Sequence, residues 1–185
     1  MSDSTTDDVI LLELDESTWN TQLDRAAAWL NNVIMTQEKF RKFAEDTASK
    51  ILEPHVRKYL EDVAKRAAAH EELARELPRA LGREPSAGRS VAGAVLAKGA
   101  ELVADVVGLA GGARGNWKDL RQLLLAGQDA LGAFAIVEQL GLALGMPELA
   151  DPAFRVQGEK MTDQLLIQEF MLEMGPVAIL LRDEI

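Results

Sequence analysis

Arg66-Ala67-Ala68-Ala69-His70-Glu71-Glu72-Leu73-Ala74 is the stretch on which the reading of this chain turns. It lies inside a run in which Val56, Leu60, Val63, Ala67, His70, Ala74, Leu77 and Leu81 follow one another in steps of four and three. That spacing is the inward stripe of a helix in a bundle, and it carries His70 inward with it. Pro54 suits the first turn of such a helix, and Gly82 its C-terminal stop.

Upstream, the same spacing predicts a long helix from Ser17 to about Ile51, capped by Asp15 or Ser17. Its inward positions are Trp19, Leu23, Ala26, Leu30, Val33, Gln37, Phe40, Ala44, Thr47 and Ile51, with Gln37 the large polar residue in mid-seam. The connection to Pro54 is very short, so the two helices are antiparallel neighbours. Residues 1–16 form an acidic tail whose Val9–Leu14 segment lies along its own bundle or reaches a neighbouring subunit.

Downstream, residues 83–116 read as a crossover, bounded by Pro85-Ser86-Ala87-Gly88 and Gly111-Gly112-Ala113-Arg114-Gly115. Its helical middle lines Lys98, Glu101 and Asp105 along one face, and three mid-segment charges argue against a membrane span. Ala100, Ala104 and Gly108 recur every four residues and allow close approach to whatever the segment covers: its own bundle first, then a second subunit, then a membrane surface. A third helix is predicted from Asn116 as N-cap to Gly145, and a fourth from Asp151-Pro152 to Met174. Gly175-Pro176 then breaks or kinks the helix, leaving residues 176–185 as an apolar tail.

The result is an all-α chain with a four-helix bundle over residues 17–175. Composition agrees: nearly half the residues are apolar, only 5% aromatic, and good helix formers dominate. Net charge is −10, but six of the 30 acids (Asp3, Asp7, Asp8, Glu13, Asp15, Glu16) precede residue 17, leaving 24 against 20 bases. A mildly acidic body with an acidic tail argues against nucleic acid, whose binding rests on basic groups. With no cysteine, disulfides, zinc-thiolate sites and iron–sulfur clusters are excluded. The N-terminus shows no signal-type pattern, which makes a cytoplasmic location the expectation.

Two antiparallel hairpins joined by a long crossover resemble the ferritin-like superfamily, in particular its small YciF-type stress-associated bundles. The phrases that carry the likeness are Arg66–Ala74, Leu81-Gly82-Arg83-Glu84-Pro85-Ser86, and Leu142-Ala143-Leu144-Gly145. The resemblance implies a di-metal layer with a Glu from each of two helices and Glu-x-x-His from each of the other two. Here Ala67 stands where that motif has its Glu, and only His70 survives.

Matching depth along the helices places Gln37 level with Ala67 and His70, with Gln128 or Leu131 opposite on the third helix and Leu165 with Gln168 on the fourth. The predicted central layer is therefore Gln37, His70, Gln128 and Gln168, a neutral hydrogen-bonded cluster that holds helix register. The plain alternative is that the glutamines face water and His70 is a satisfied core histidine. A residual iron or manganese site would draw on His70, Glu38, Glu138 and Glu169, although Glu38 and Glu169 lie off the seam and Glu138 about two turns away.

Other chemistry is poorly supplied. His55 falls in an exposed first turn, no inner-stripe serine faces His70, and the glycine-rich stretch before Asn116 lacks a strand or a Walker lysine. Glu71, Glu72 and Glu76 read as a solvated face balanced by Arg75 and Arg79. The reading is a non-enzymatic bundle that has lost its di-iron ligands and works as a structural or interaction protein. Its rivals are a metal-binding oxidoreductase with an atypical site and a membrane-surface or partner-docking protein. Several apolar segments compete for cover on one bundle, which points to a homodimer, or to a protein partner held by the crossover or the termini. A link to stress is implied by the resemblance alone.

Overall fold

A computed structural model describes residues 14–84 and 113–180. The sequence expectations for the acidic tail, for most of the crossover and for the last five residues lie outside the described residues. Those that are described form four long helices: α1 (Glu16–Lys50), α2 (Pro54–Ala80), α3 (Ala113–Leu144) and α4 (Pro147–Leu180).

The caps explain the hairpins. Asp15 caps α1, its carboxylate accepting from the Thr18 amide at 2.9 Å and from the Thr18 hydroxyl at 2.6 Å. Three residues then turn the chain into Pro54, and Ile51 within that turn is fully buried. At the far end of α2, Gly82 adopts φ +65°, and Arg83 and Gly82 donate back to the carbonyls of Pro78 and Arg79. Gly145 repeats the motif after α3, with Met146 and Gly145 donating to Gly141 and Leu142. In both places the left-handed residue that closes the helix is glycine, for which the conformation carries no side-chain penalty.

The Gly145 turn corrects the predicted start of α4. The helix begins at Pro147, not Pro152, because the chain reverses at once. Gly141 of α3 lets the Ala150 backbone approach so closely that a Cβ there would lie 2.6 Å from the Ala150 nitrogen. Leu149, Ala150 and Ala153 are buried by that approach, so packing carries the helix through Pro152 despite its missing donor. Likewise α4 continues past Gly175-Pro176 to Leu180, since Gly175 seats on the Trp117 indole and Ala178 is buried. The apolar tail is thus in part the last turn of α4. Asn116 is not an N-cap either; it is a buried residue within α3.

α1 packs on α2 and α3, and α4 on α3 and α2. Gln37 meets Ala130 and Lys50 meets Asp119, so α1 and α3 are antiparallel. Tyr59 meets Asp163 and His70 meets Glu159, so α2 and α4 are antiparallel too. α1 and α4 therefore run one way, α2 and α3 the other, and α2 ends at the opposite end of the bundle from where α3 begins. By length and composition α3 is the one helix among the described residues that is apolar enough to cross a membrane. In the bundle one of its faces is core, where Leu120, Leu123, Ala130, Phe134 and Val137 are buried.

The apolar interior comes in two parts. One gathers around Phe40, Ile51, Leu60, Leu123 and Ile167, the other around Leu30, Leu77, Phe134, Val137 and Leu149. A polar layer lies between them.

Candidate functional site: a buried polar layer

Each helix contributes to this layer through its inward stripe. On α1, Gln37 is fully buried and its Nε2 donates to the Ala130 carbonyl at 3.0 Å; its Oε1 has no protein partner. The neighbouring Thr36 hydroxyl satisfies itself on the Val33 carbonyl at 2.8 Å. On α2, His70 is 4% exposed, with Nε2 2.8 Å from Glu159 Oε2, Nδ1 unpartnered, and the ring edge-on to Phe134. Ala67, one turn earlier, is buried and offers only a methyl group.

α4 brings what the sequence reading missed: Lys160, Asp163 and Gln164, all buried. Lys160 is 1% exposed, and its ammonium lies 4.4 Å from the Phe40 ring centroid without a hydrogen-bond acceptor. Asp163 accepts from the Tyr59 hydroxyl at 2.8 Å and from Arg66 at 2.6 Å, and Arg66 stacks over the Tyr59 ring. Gln164 has no protein partner for either amide atom. It fits only because α3 has Gly127 opposite: a Cβ there would fall 1.7 Å from Gln164 Nε2.

The charges respond to the burial. Desolvation drives the Lys160 ammonium down to about 7, with Asp163 and Glu159 opposing. Desolvation also lowers His70, and Lys160 nearby lowers it further, against the pull of Glu159 and Asp163. Burial raises the Tyr59 phenol, and its bond to the Asp163 carboxylate raises it again. At the edge of the layer, burial would raise Glu71, but bonds from Arg41 at 2.7 Å and Arg75 at 2.5 Å hold its carboxyl below the usual range. Glu71 is therefore a buried ion-pair partner of α1, not part of a solvated face; Glu76 does pair with Arg79.

The chain has no significant match among family models, curated proteins or solved structures. What the layer can do has to be read from its own side chains.

Of the four residues expected here, Gln37 and His70 are in the layer; Gln128 and Gln168 are exposed and outside it. Two errors of register account for this. α3 is apolar on several sides, so Leu124, Leu125 and Leu131 masked which face is inward, and the true stripe (Leu123, Ala126, Ala130) is offset by one residue. α4 starts five residues earlier than Pro152 suggested, which moves Lys160 and Gln164 to the depth assigned to Leu165 and Gln168. Leu165 is exposed.

The side chains do not fit a pair of metal ions. Among the described residues no three of His, Asp and Glu lie together in a way that would hold one. Glu38 pairs with Lys42 on the outside of α1, Glu138 accepts from Gln157 at 2.6 Å, and Glu169 is exposed, so none joins His70. The carboxylate buried in the layer, Asp163, is committed to Tyr59 and Arg66. A cation entering beside it would meet the Lys160 ammonium.

Proposed function

We propose that the chain is a ferritin-like bundle without a di-metal centre, acting as a structural or interaction protein and not as an oxidoreductase. The helix directions support the architectural half of this reading: consecutive helices α2 and α3 run the same way, each between antiparallel neighbours. The chemical half rests on one observation, the buried Lys160 at the depth where Gln37, Ala67 and His70 meet. Di-metal chemistry needs several carboxylates to bridge and neutralise hard cations. This layer offers amides, methyl groups, an amine, one imidazole, and one carboxylate already bonded to Tyr59 and Arg66.

The test is metal content. Protein purified without chelator, then incubated with iron(II) or manganese(II) under nitrogen and desalted, is expected to retain far less than one equivalent. The amount should not change on His70→Ala. Stoichiometric metal that disappears in the His70 variant would instead favour the oxidoreductase reading with iron or manganese as cofactor.

A further inference from the structure

We propose that the outer face of α4 is a self-complementary seam on which two copies of this chain pair antiparallel. Phe154, Met161, Leu165 and Leu172 are each more than half exposed. Exposed apolar residues scattered singly are ordinary. These are not scattered: with Gly158 and Gln168 they fall on one line in steps of four and three over residues 154–172, about 27 Å of helix. That is the a/d spacing of a coiled-coil seam, on the side of α4 opposite its buried stripe of Ala153, Val156, Lys160, Asp163 and Ile167.

The second copy is singled out by how the line matches its own reverse. With a two-fold axis at the level of Asp163, Phe154 meets Leu172 of the other copy, Met161 meets Leu165, and Gly158 lies opposite Gln168. Each large apolar side chain then faces another, and the glycine, at which an added Cβ would touch nothing, makes room for the long glutamine. Such reciprocal matching is what an isologous interface requires. Charge agrees. Arg155 is the one exposed base among the described residues of α4, and the same register brings it beside Glu169 of the other copy. A parallel pairing would leave Gly158 facing Gly158 and Gln168 facing Gln168, and would hold Arg155 and Glu169 on opposite flanks of the pair, where they cannot meet. The pairing rests on the interaction-protein reading for its purpose but not for its geometry: bound metal would leave it untouched, and its failure would leave the metal result untouched.

The chain has no cysteine, so engineered thiols report cleanly. Phe154→Cys and Leu172→Cys full-length proteins are made separately, mixed under reduction to exchange subunits, and oxidised. Facing seam positions come within disulfide reach, so the mixture is expected to give a disulfide-linked dimer joining Cys at 154 to Cys at 172, identified by peptide mapping, while each variant alone gives little. Light scattering of unmodified protein at micromolar concentration should give about twice the 20.2 kDa chain mass. Met161→Glu combined with Leu165→Glu should weaken the dimer at least tenfold while helicity by circular dichroism is kept. Self-linking of the Phe154 variant would overturn the antiparallel register. A monomer would overturn the pairing altogether, whether its thiols are free, protected by residues 85–112 of the same chain, or buried on added vesicles.

Discussion

The Lys160 ammonium lies 4.4 Å from the centroid of the Phe40 ring, one helix across the bundle, where the two apolar halves of the core meet. A cation over an aromatic face recovers part of its lost hydration, but at 1% exposure that recovery is partial, and the amine is driven down to about 7. The unfolded chain holds the proton up to about pH 10.5, whereas the folded chain releases it near pH 7. Between those values the unfolded state binds more protons, so Lys160 makes stability rise with pH across that window; below it both states are charged and the whole penalty is present. At about 1.4 kcal/mol per unit the effect is on the order of 5 kcal/mol. Urea unfolding at pH 6 to 10 should show this rise in the unmodified protein, and Lys160→Met should flatten it while raising stability at pH 6. An equal slope in both proteins would remove Lys160 as its source.

Tyr59 sets the upper limit of that rise. Its phenol stays protonated in the fold above its ordinary value of 10.0, while the unfolded chain loses the proton there. Above pH 10 the folded state is the one that binds more protons, so stability falls again. In Tyr59→Phe the decline should be reduced, at the cost of leaving Asp163 one donor short. The same urea series, extended above pH 10, checks it.

His70 is a second, independent reporter of the layer. Burial lowers its affinity for a proton, and the Lys160 ammonium lowers it further. In an NMR titration its ring should therefore titrate below the usual 6.5 and move upward in Lys160→Met. Glu159→Gln should move it the other way, because the carboxylate 2.8 Å from Nε2 favours the imidazolium. The unfolded chain takes up this proton before the folded one, so His70 makes stability fall as pH drops below 6.5 and stop falling once the folded ring is charged too.

Much of α1 and α2 was legible in the sequence because each is apolar on one stripe and charged elsewhere. Leu23, Leu30, Val33, Gln37, Phe40, Val56, Leu60, Val63 and His70 are all buried as their spacing required. α3 and α4 were harder for a physical reason. Both carry leucines on core and solvent sides alike, and the α4 seam obeys the same spacing rule as its core stripe. Pro152 and Pro176 then suggested helix ends where tertiary packing overrides them. Lys160 was hidden for the opposite reason: lysine is almost never fully buried, and only the early start of α4 at Pro147 gives it its inward place. Without that register the layer lost its cation, and glutamines one residue or one turn away stood in for it.

Asp163 anchors α4 to α2, and its bonds can be removed one at a time. Asp163→Asn keeps an acceptor for the Tyr59 hydroxyl but leaves the Arg66 guanidinium without its counter-charge. Breaking a buried pair from one side costs about 3–5 kcal/mol, and the 35% exposure of the Arg66 side chain reduces that to about 2–3. Arg66→Met should cost more than Asp163→Asn, since it strands a carboxylate whose side chain is 3% exposed, whereas Asp163→Asn strands a guanidinium that still reaches water. Equal costs from urea midpoints would mean that the loss lies in packing and not in charge.

Gly127 and Gln164 provide the sharpest test of how tightly the layer is built. Alanine is the better helix former by about 1 kcal/mol, so Gly127→Ala in the middle of α3 would stabilise an open helix face. Here the added methyl falls 1.7 Å from Gln164 Nε2 and 3.0 Å from Phe40 Cε2. The amide is the far end of a flexible side chain, but it is 4% exposed and flanked by the Phe40 ring, so it has little room to swing away. Overpacking of this kind costs about 1–3 kcal/mol, and the net change should be destabilising. Gln164→Ala removes the obstruction together with two unpartnered buried polar atoms, so Gly127→Ala made in that background should be neutral or stabilising. The double-mutant cycle is therefore expected to give a coupling of about 1–3 kcal/mol, read from thermal or urea unfolding. Additive effects would place the Gln164 amide elsewhere, and with it the contact that ties α3 to α4 at the depth of the layer.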